Sequence, residues 1–185
     1  TDLTERVCID GEPMEAAAFD ALVGDVMPLV DIVDAERHDG VAMTFFEVMT
    51  ALAFEAFAQA PVDVAVVEVG MGGITDATNI ADAEVAVIGP IDLDHTHLLG
   101  ATIAEIAAEK AGIIKPGSVV VTAVQHPDAD AAIAARAAEM GVRVLREGVD
   151  FALIDRVPAV GGQVIRVDTA AGPVGDLMLP LHGEH

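Results

Sequence analysis

Two hydrophobic periods alternate along this chain. VDVAVVEV (62–69) is a near-continuous valine run, the signature of a strand buried on both faces. EVAVIG (84–89) reads as another buried strand, and SVVVTA (118–123) and VRVLR (142–146) read as further strands. Helical patterns separate them. Residues 14–33 predict a helix, with Met14, Ala17, Ala18, Ala21, Leu22 and Met27 near helical spacing. Thr44 and Glu47 have capping-box spacing and open a helix to about residue 59, stopped by Pro61. Thr102 and Glu105 repeat that spacing for a helix to about residue 111. His126-Pro127 starts an Ala-rich helix to Met140, with proline at the first helical position. ERVCID (5–10) predicts a short strand ended by Gly11 and Pro13. DAERHDG (34–40) predicts a polar, mobile connection, residues 70–82 a long Gly-rich loop, and Pro116-Gly117 a turn.

Strand–helix alternation predicts an α/β fold with a parallel sheet and right-handed crossovers. Past residue 150 the period drops to two. FALIDRV, GQVIRVD and DLMLPL, separated by Gly-rich turns, predict an antiparallel meander. The expected organisation is an α/β part over 1–149 and an antiparallel β extension over 150–185, without internal repeats or a low-complexity linker.

Composition narrows the function classes. A chain of 185 residues suits one domain, and with 53% hydrophobic residues and no Trp or Tyr its core is filled by small and β-branched side chains. A net charge of −22 with nine Lys and Arg in total argues against a nucleic-acid partner. The acidity is spread along the chain, as on a solvated surface. Both lysines, Lys110 and Lys115, fall within one six-residue segment. Cys8 is the single cysteine, which rules out an internal disulfide and fits a reducing cytosol. No apolar run reaches the roughly 18 residues of a membrane span. The start at Thr1 and the end at GEH are expected to be cut ends.

In open parallel sheets, ligands bind beyond the carboxyl ends of the strands. Glu68 lies near the end of the valine run and His95 a few residues past the next strand, so a carboxylate and an imidazole are aimed at one crevice. Such a pair suits Mg²⁺, Mn²⁺ or Zn²⁺. Each residue also has an ordinary structural role. Glu68 can cap a turn, and Asp92, Asp94, His95 and His97 can simply face water. Lys110 sits near a helix C-terminus, where a cation is favoured. Gly70, Gly72 and Gly73 permit close backbone approach but form no GxGxxG fingerprint, and no GxxxxGK[ST] occurs. Asp76 and Asn79 can cap or turn this loop.

Taken together, TFFEVMTALAF, VDVAVVEVGMGG, DATN, DLDHT with its following LLG, EKAGIIKPG and LPLHGEH resemble the folylpolyglutamate synthase/dihydrofolate synthase family of the Mur ligase superfamily. The resemblance runs from about residue 5 to 185 in the family's order. It implies a P-loop-NTPase-like sheet sandwich of the Mur ligase central-domain type. Its P-loop strand and C-terminal ligase domain would lie outside this chain. It further implies an ATP-dependent ligase that joins L-glutamate to dihydropteroate or a folate through an acyl phosphate. Glu68 and His95 match Mg²⁺ ligands, with two Mg²⁺ sites expected. Lys110 matches the lysine that the family carries as a carbamate, an anionic ligand formed when CO₂ adds to the neutral amine. Lys110 and His95 are thus the catalytic candidates. Thr44, Phe45, Phe46 and Glu47, with Thr75, Asp76 and Ala77, match pterin-binding positions, and Gly70, Gly72, Gly73 and Asn79 belong to the same loop. The implied setting is a cytoplasmic monomer with ATP, L-glutamate and a pteroate or folate as partners.

The chain departs from the family where Ile74 and Thr75 stand between GG and DATN, positions that often carry Arg, Ser or Trp, which weakens any cationic substrate contact there. Two alternatives stay open: a cell-wall Mur-type ligase, and a non-catalytic Mg²⁺- or nucleotide-binding module.

Overall fold

A computed structural model describes residues 3–37, 40–60 and 62–183. These divide into two compact units. The first runs to Met71 and includes Asp76–Ile80; the second comprises Gly72–Thr75 and the chain from Ala81 onward.

The first unit is built on two helices. Its N-terminal segment forms a 3-10 turn (Leu3–Arg6) and a minimal antiparallel hairpin of β1 (Cys8–Ile9) and β2 (Glu12–Pro13). The expected 5–10 strand is thus shorter. Asp10 and Gly11 take positive φ values of 54° and 81°, which turns the chain, and Pro13 lies within β2 instead of ending a strand. Helix α1 (Ala16–Glu36) runs longer than the predicted 14–33, absorbing Asp34–Glu36 and accommodating Pro28. Its buried face is Phe19, Leu22, Val26 and Val30, at intervals of 3, 4 and 4 residues. Ala17, Ala18 and Ala21, expected on that face, are exposed. Alanine fits either side of a helix, so the phase is set by the larger side chains, whose burial removes more apolar area from water. The Asp34 carboxylate accepts from the Met43 N–H at 2.7 Å. His38 and Asp39 of the 34–40 connection, and the helix stop at Pro61, lie outside the described residues.

Helix α2 (Phe45–Gln59) opens with the predicted capping box. The Thr44 hydroxyl accepts from the Glu47 N–H at 3.2 Å, and the Glu47 carboxylate accepts from the Thr44 N–H at 2.6 Å. Met49, Leu52 and Ala56 bury against Val7 and the buried face of α1. The valine run is the main correction. Residues 62–69 form no strand and pair with no other strand among the described residues, and Val64 and Val66 are 80% and 91% exposed. Valine supplies β propensity, but a strand exists only through a ladder with a neighbour.

The second unit holds a parallel sheet of β3 (Val85–Ile88), β4 (Val119–Thr122) and β5 (Arg143–Arg146), in that order. Ala86 and Ile88 are buried while Val85 and Val87 are exposed, so β3 is covered on one face and not on both as expected. After β3 the sequence reading missed a single turn, α3 (Thr96–Leu99). Helix α4 (Ile103–Lys110) carries the second predicted capping box. Helix α5 (Pro127–Met140) starts with proline and ends at Gly141 in the left-handed conformation. Ile106, Ile114, Val120 and Ile133 are fully buried in the core between sheet and helices. The predicted meander follows as β6 (Phe151–Ala159), β7 (Gly162–Thr169) and β8 (Val174–Leu179), all antiparallel. No described helix is long and apolar enough to cross a membrane.

The phase of α1 is testable by denaturant unfolding. Leu22→Ala should cost about 2–5 kcal/mol, and Ala17→Ser no more than about 0.5 kcal/mol. Equal costs would mean that the helix buries a different face.

Candidate functional site

The candidate residues sit at element ends in both units, and each unit positions its own set. In the first unit Thr44, Phe45, Phe46 and Glu47 form the start of α2. Hydrogen bonds from the backbone and then the side chain of Thr44 hold the Glu47 carboxyl below its ordinary 4.5, with the Arg37 guanidinium adding to them; partial burial opposes the shift. Arg37 reaches Glu47 at 3.4 Å. Thr44 and Glu47 are thus spent on capping the helix. Phe45 and Phe46 keep exposed rings, and the Arg6 guanidinium lies 5.8 Å from the centroid of Phe45. The Phe46 ring covers Gly70 so closely that a Cβ there would collide with it.

A cavity of about 620 Å³ opens beside these rings, with Phe45, Phe46, Phe57, Glu68, Gly70 and Thr78 among its walls. It presents aromatic faces together with one carboxylate, surfaces suited to a flat ring that carries hydrogen-bond donors. Glu68 itself is exposed.

Asp76 is the hub of the following turn. Its carboxylate accepts from the Met71 N–H at 2.9 Å, the Thr78 N–H at 3.0 Å and the Thr78 hydroxyl at 2.5 Å. Burial alone would raise its pKa. The Thr78 side chain and the N–H groups of Met71, Thr78 and Gly70 outweigh burial and hold it below the ordinary 3.8. Ala77 opens a 3-10 turn (Ala77–Ile80), and the Asn79 N–H donates to the Asp76 carbonyl at 2.9 Å. The reading of Asp76 as a turn-forming side chain is therefore met.

In the second unit the loop after β3 carries Asp92, Asp94, His95 and His97, all exposed. Asp92 and Asp94 each accept the next residue's N–H at 2.7 Å. His95 takes a left-handed φ of 47° at the start of α3, an uncommon conformation for a side chain of this size, and its Nε2 lies 3.7 Å from Asp94. Its ring meets that of His97 edge-on, with centroids 6.4 Å apart. Gln125 straps this loop from the turn after β4. Its amide donates to the Gly89 carbonyl at 2.7 Å and the Thr122 hydroxyl at 3.0 Å, and accepts from the Ile91 N–H at 3.0 Å.

Lys110 ends α4, half-buried, and among the described residues no carboxylate or carbonyl engages its ammonium. Lys115 differs: its Nζ donates to the Ala81 carbonyl at 2.9 Å and lies 3.4 Å from Asp82, so it anchors the loop before β3. Gly72 and Gly73 are buried against the end of α4. A Cβ on Gly73 would lie 2.5 Å from the Glu109 carbonyl oxygen and 2.9 Å from that of Lys110. The next residue, Ile74, donates its N–H to both the carbonyl (3.2 Å) and the carboxylate (3.1 Å) of Glu109. Thr75 follows, exposed. Gly112 leaves room for Ile74, whose Cα would lie 2.9 Å from a Cβ there.

The structure thus brings Phe46 to Gly70, Gly73 to the backbone of Lys110, and Asp94 to His95. Glu68 belongs to the first unit, His95 and Lys110 to the second. No group of three His, Cys, Asp or Glu side chains among the described residues is arranged to hold a metal. Sequence reasoning missed Glu109 and Gln125. Neither carries a local signal, because their partners lie 35 and 34 residues away.

No model of a known protein family matches the chain. The dihydrofolate synthase/folylpolyglutamate synthase of Mycobacterium tuberculosis is 48% identical over 98% of this chain and 39% of its own length. A crystal structure of the folylpolyglutamate synthase of that organism, complexed with ADP and AMPPCP, superposes with a TM-score of 0.90 at 48% identity, covering 98% of this chain and 42% of its own. An FPGS–AMPPCP–folate complex superposes with a TM-score of 0.89 at 42% identity, covering 98% and 44%. The α/β fold with its C-terminal meander is that of these structures. The chain spans about two-fifths of the length of the relatives it matches.

Two measurements check this geometry. Gly73→Ala should destabilise by about 1–3 kcal/mol, since its Cβ meets backbone atoms that cannot swing aside; an unchanged Tm would refute the close approach. Asp76 contributes stability that is present at neutral pH and lost as pH falls below 3.8 and through its lower folded value. The stability difference between wild type and Asp76→Asn should therefore shrink in that acid range, and a pH-independent difference would sink the assignment.

Proposed function

The chain belongs to the folylpolyglutamate synthase/dihydrofolate synthase family, and we propose that the whole protein is an ATP-dependent amide ligase that adds L-glutamate to dihydropteroate, to folates or to both. The observation that carries this reading is the 48% identity to the mycobacterial enzyme across 98% of the chain. Activity belongs to the whole protein, of which relatives have more than twice this length. The 185-residue chain is read as part of its ATPase domain. Cys8, a free thiol, is in keeping with a reducing, cytoplasmic setting.

The proposed reaction has two steps. A carboxylate oxygen of the pteroate or folate attacks the γ-phosphorus of ATP, forming an acyl phosphate and releasing ADP. The amine of glutamate then attacks the acyl carbon; the C–O bond to phosphate breaks, inorganic phosphate leaves with the electron pair, and the amine loses a proton. The first step is limited by charge and alignment, so positioning dominates catalysis. Phe45 and Phe46 offer ring faces on which a pterin can stack, beside the cavity that Glu68 also lines. Thr44 and Glu47 fix these rings by capping their helix. Thr75, Asp76 and Ala77, with Gly70, Gly72, Gly73 and Asn79, complete the substrate loop. Bound Mg²⁺, at two sites, would neutralise phosphate charge, with Glu68, His95 and Lys110 as its residues. Each suits that work: Glu68 and His95 are exposed, and the ammonium of Lys110 is unengaged among the described residues. Once neutral, the Lys110 amine would attack the carbon of CO₂ with its lone pair and lose a second proton, and the resulting anionic carbamate would supply an oxygen donor.

Three outcomes are expected. The full-length protein should release phosphate in a glutamate-dependent manner with dihydropteroate or tetrahydrofolate; turnover only with a UDP-muramyl substrate would overturn the reading. Lys110→Ala in that protein should lose most activity and regain part of it with a small added carboxylate. The 185-residue chain alone, which has no GxxxxGK[ST] loop, should hydrolyse no ATP.

A further inference from the structure

We propose that Glu109 is a positioning residue: its carboxylate latches the Gly72–Thr75 loop onto the last turn of α4, so that Thr75 and Lys110 are held at a fixed separation. The inference rests on the ligase reading above, in which Thr75 faces the substrate and Lys110 the phosphates. It concerns a residue to which that reading gave no role.

Four features of the second unit converge on this latch. The Ile74 N–H is shared between the Glu109 carbonyl at 3.2 Å and its carboxylate at 3.1 Å, so one residue grips the loop from both main chain and side chain. Gly72 is buried against the same side chain: a Cβ there would lie 2.9 Å from Glu109 Oε1. Gly73 allows the loop backbone to reach the carbonyls of Glu109 and Lys110. Gly112, two residues past Lys110, makes room for Ile74. The last two glycines of GMGG, Gly72 and Gly73, and the Glu and Gly of EKAG are therefore two halves of one contact. They bring the loop to the helix end, and the Glu109 carboxylate is the side-chain bond that fixes its register there.

Length and charge at residue 109 can be separated. Glu109→Gln keeps an acceptor oxygen at the same reach without charge, and Glu109→Asp keeps the charge but falls short. In the full-length enzyme, Glu109→Gln should retain kcat within about twofold, while Glu109→Asp and Glu109→Ala should lower kcat about tenfold, the scale of one hydrogen bond. Hydrogen exchange at the Ile74 amide should quicken in the Asp and Ala variants and stay slow in the Gln variant. Should Glu109→Ala fail to fold, the Asp–Gln pair carries the test. Equal losses in Asp and Gln, or normal kcat and slow exchange in Asp, would overturn the latch. A wild type that releases no phosphate with either folate substrate overturns the ligase reading and the positioning role with it. The exchange data would then judge the hydrogen bond alone.

Discussion

At residue 73 the backbone of one loop lies against the final carbonyls of a helix, and only a hydrogen fits between them. That approach determines where Ile74 can donate, which face of Glu109 turns inward and how the chain arrives at Thr75. It also explains two short motifs, far apart in sequence, that each look undistinguished alone. Glycine loses more entropy on folding than other residues, and the close contact is what that cost makes possible.

A second constraint is electrostatic. A chain with a net charge of −22 and nine Lys and Arg in total has few cations to spare. Of the two lysines, Lys115 holds a carbonyl and an aspartate before β3, whereas Lys110 lies half-buried at the end of α4. Position in the fold thus separates two residues that are only five apart in sequence. Similarly, Asp76 spends its charge on the turn it organises, while the exposed carboxylate of Glu68 lines a cavity.

Both capping boxes were legible because Thr and Glu at that spacing satisfy orphan backbone groups locally, with no help from the rest of the molecule. The same is true of Pro127 at the start of α5. The valine run at 62–69 was misread as an assembled strand for the opposite reason. Side-chain type fixes a preference, but pairing needs a partner backbone, and none of the described strands supplies one. The phase of α1 failed on alanines, whose burial is worth too little to choose a face.

Local hydrogen-bonding chemistry and hydrophobic period, then, were enough to determine the α/β class and the starts of α2, α4 and α5, while the candidate residues came from the family resemblance. Tertiary structure alone decided which of them share a contact. Glu109 and Ile74 are 35 residues apart, Gln125 and Ile91 are 34 apart, and neither pair leaves a trace in local spacing. A hydrogen bond between distant segments is encoded in the whole packing of the chain, not in the residues that make it.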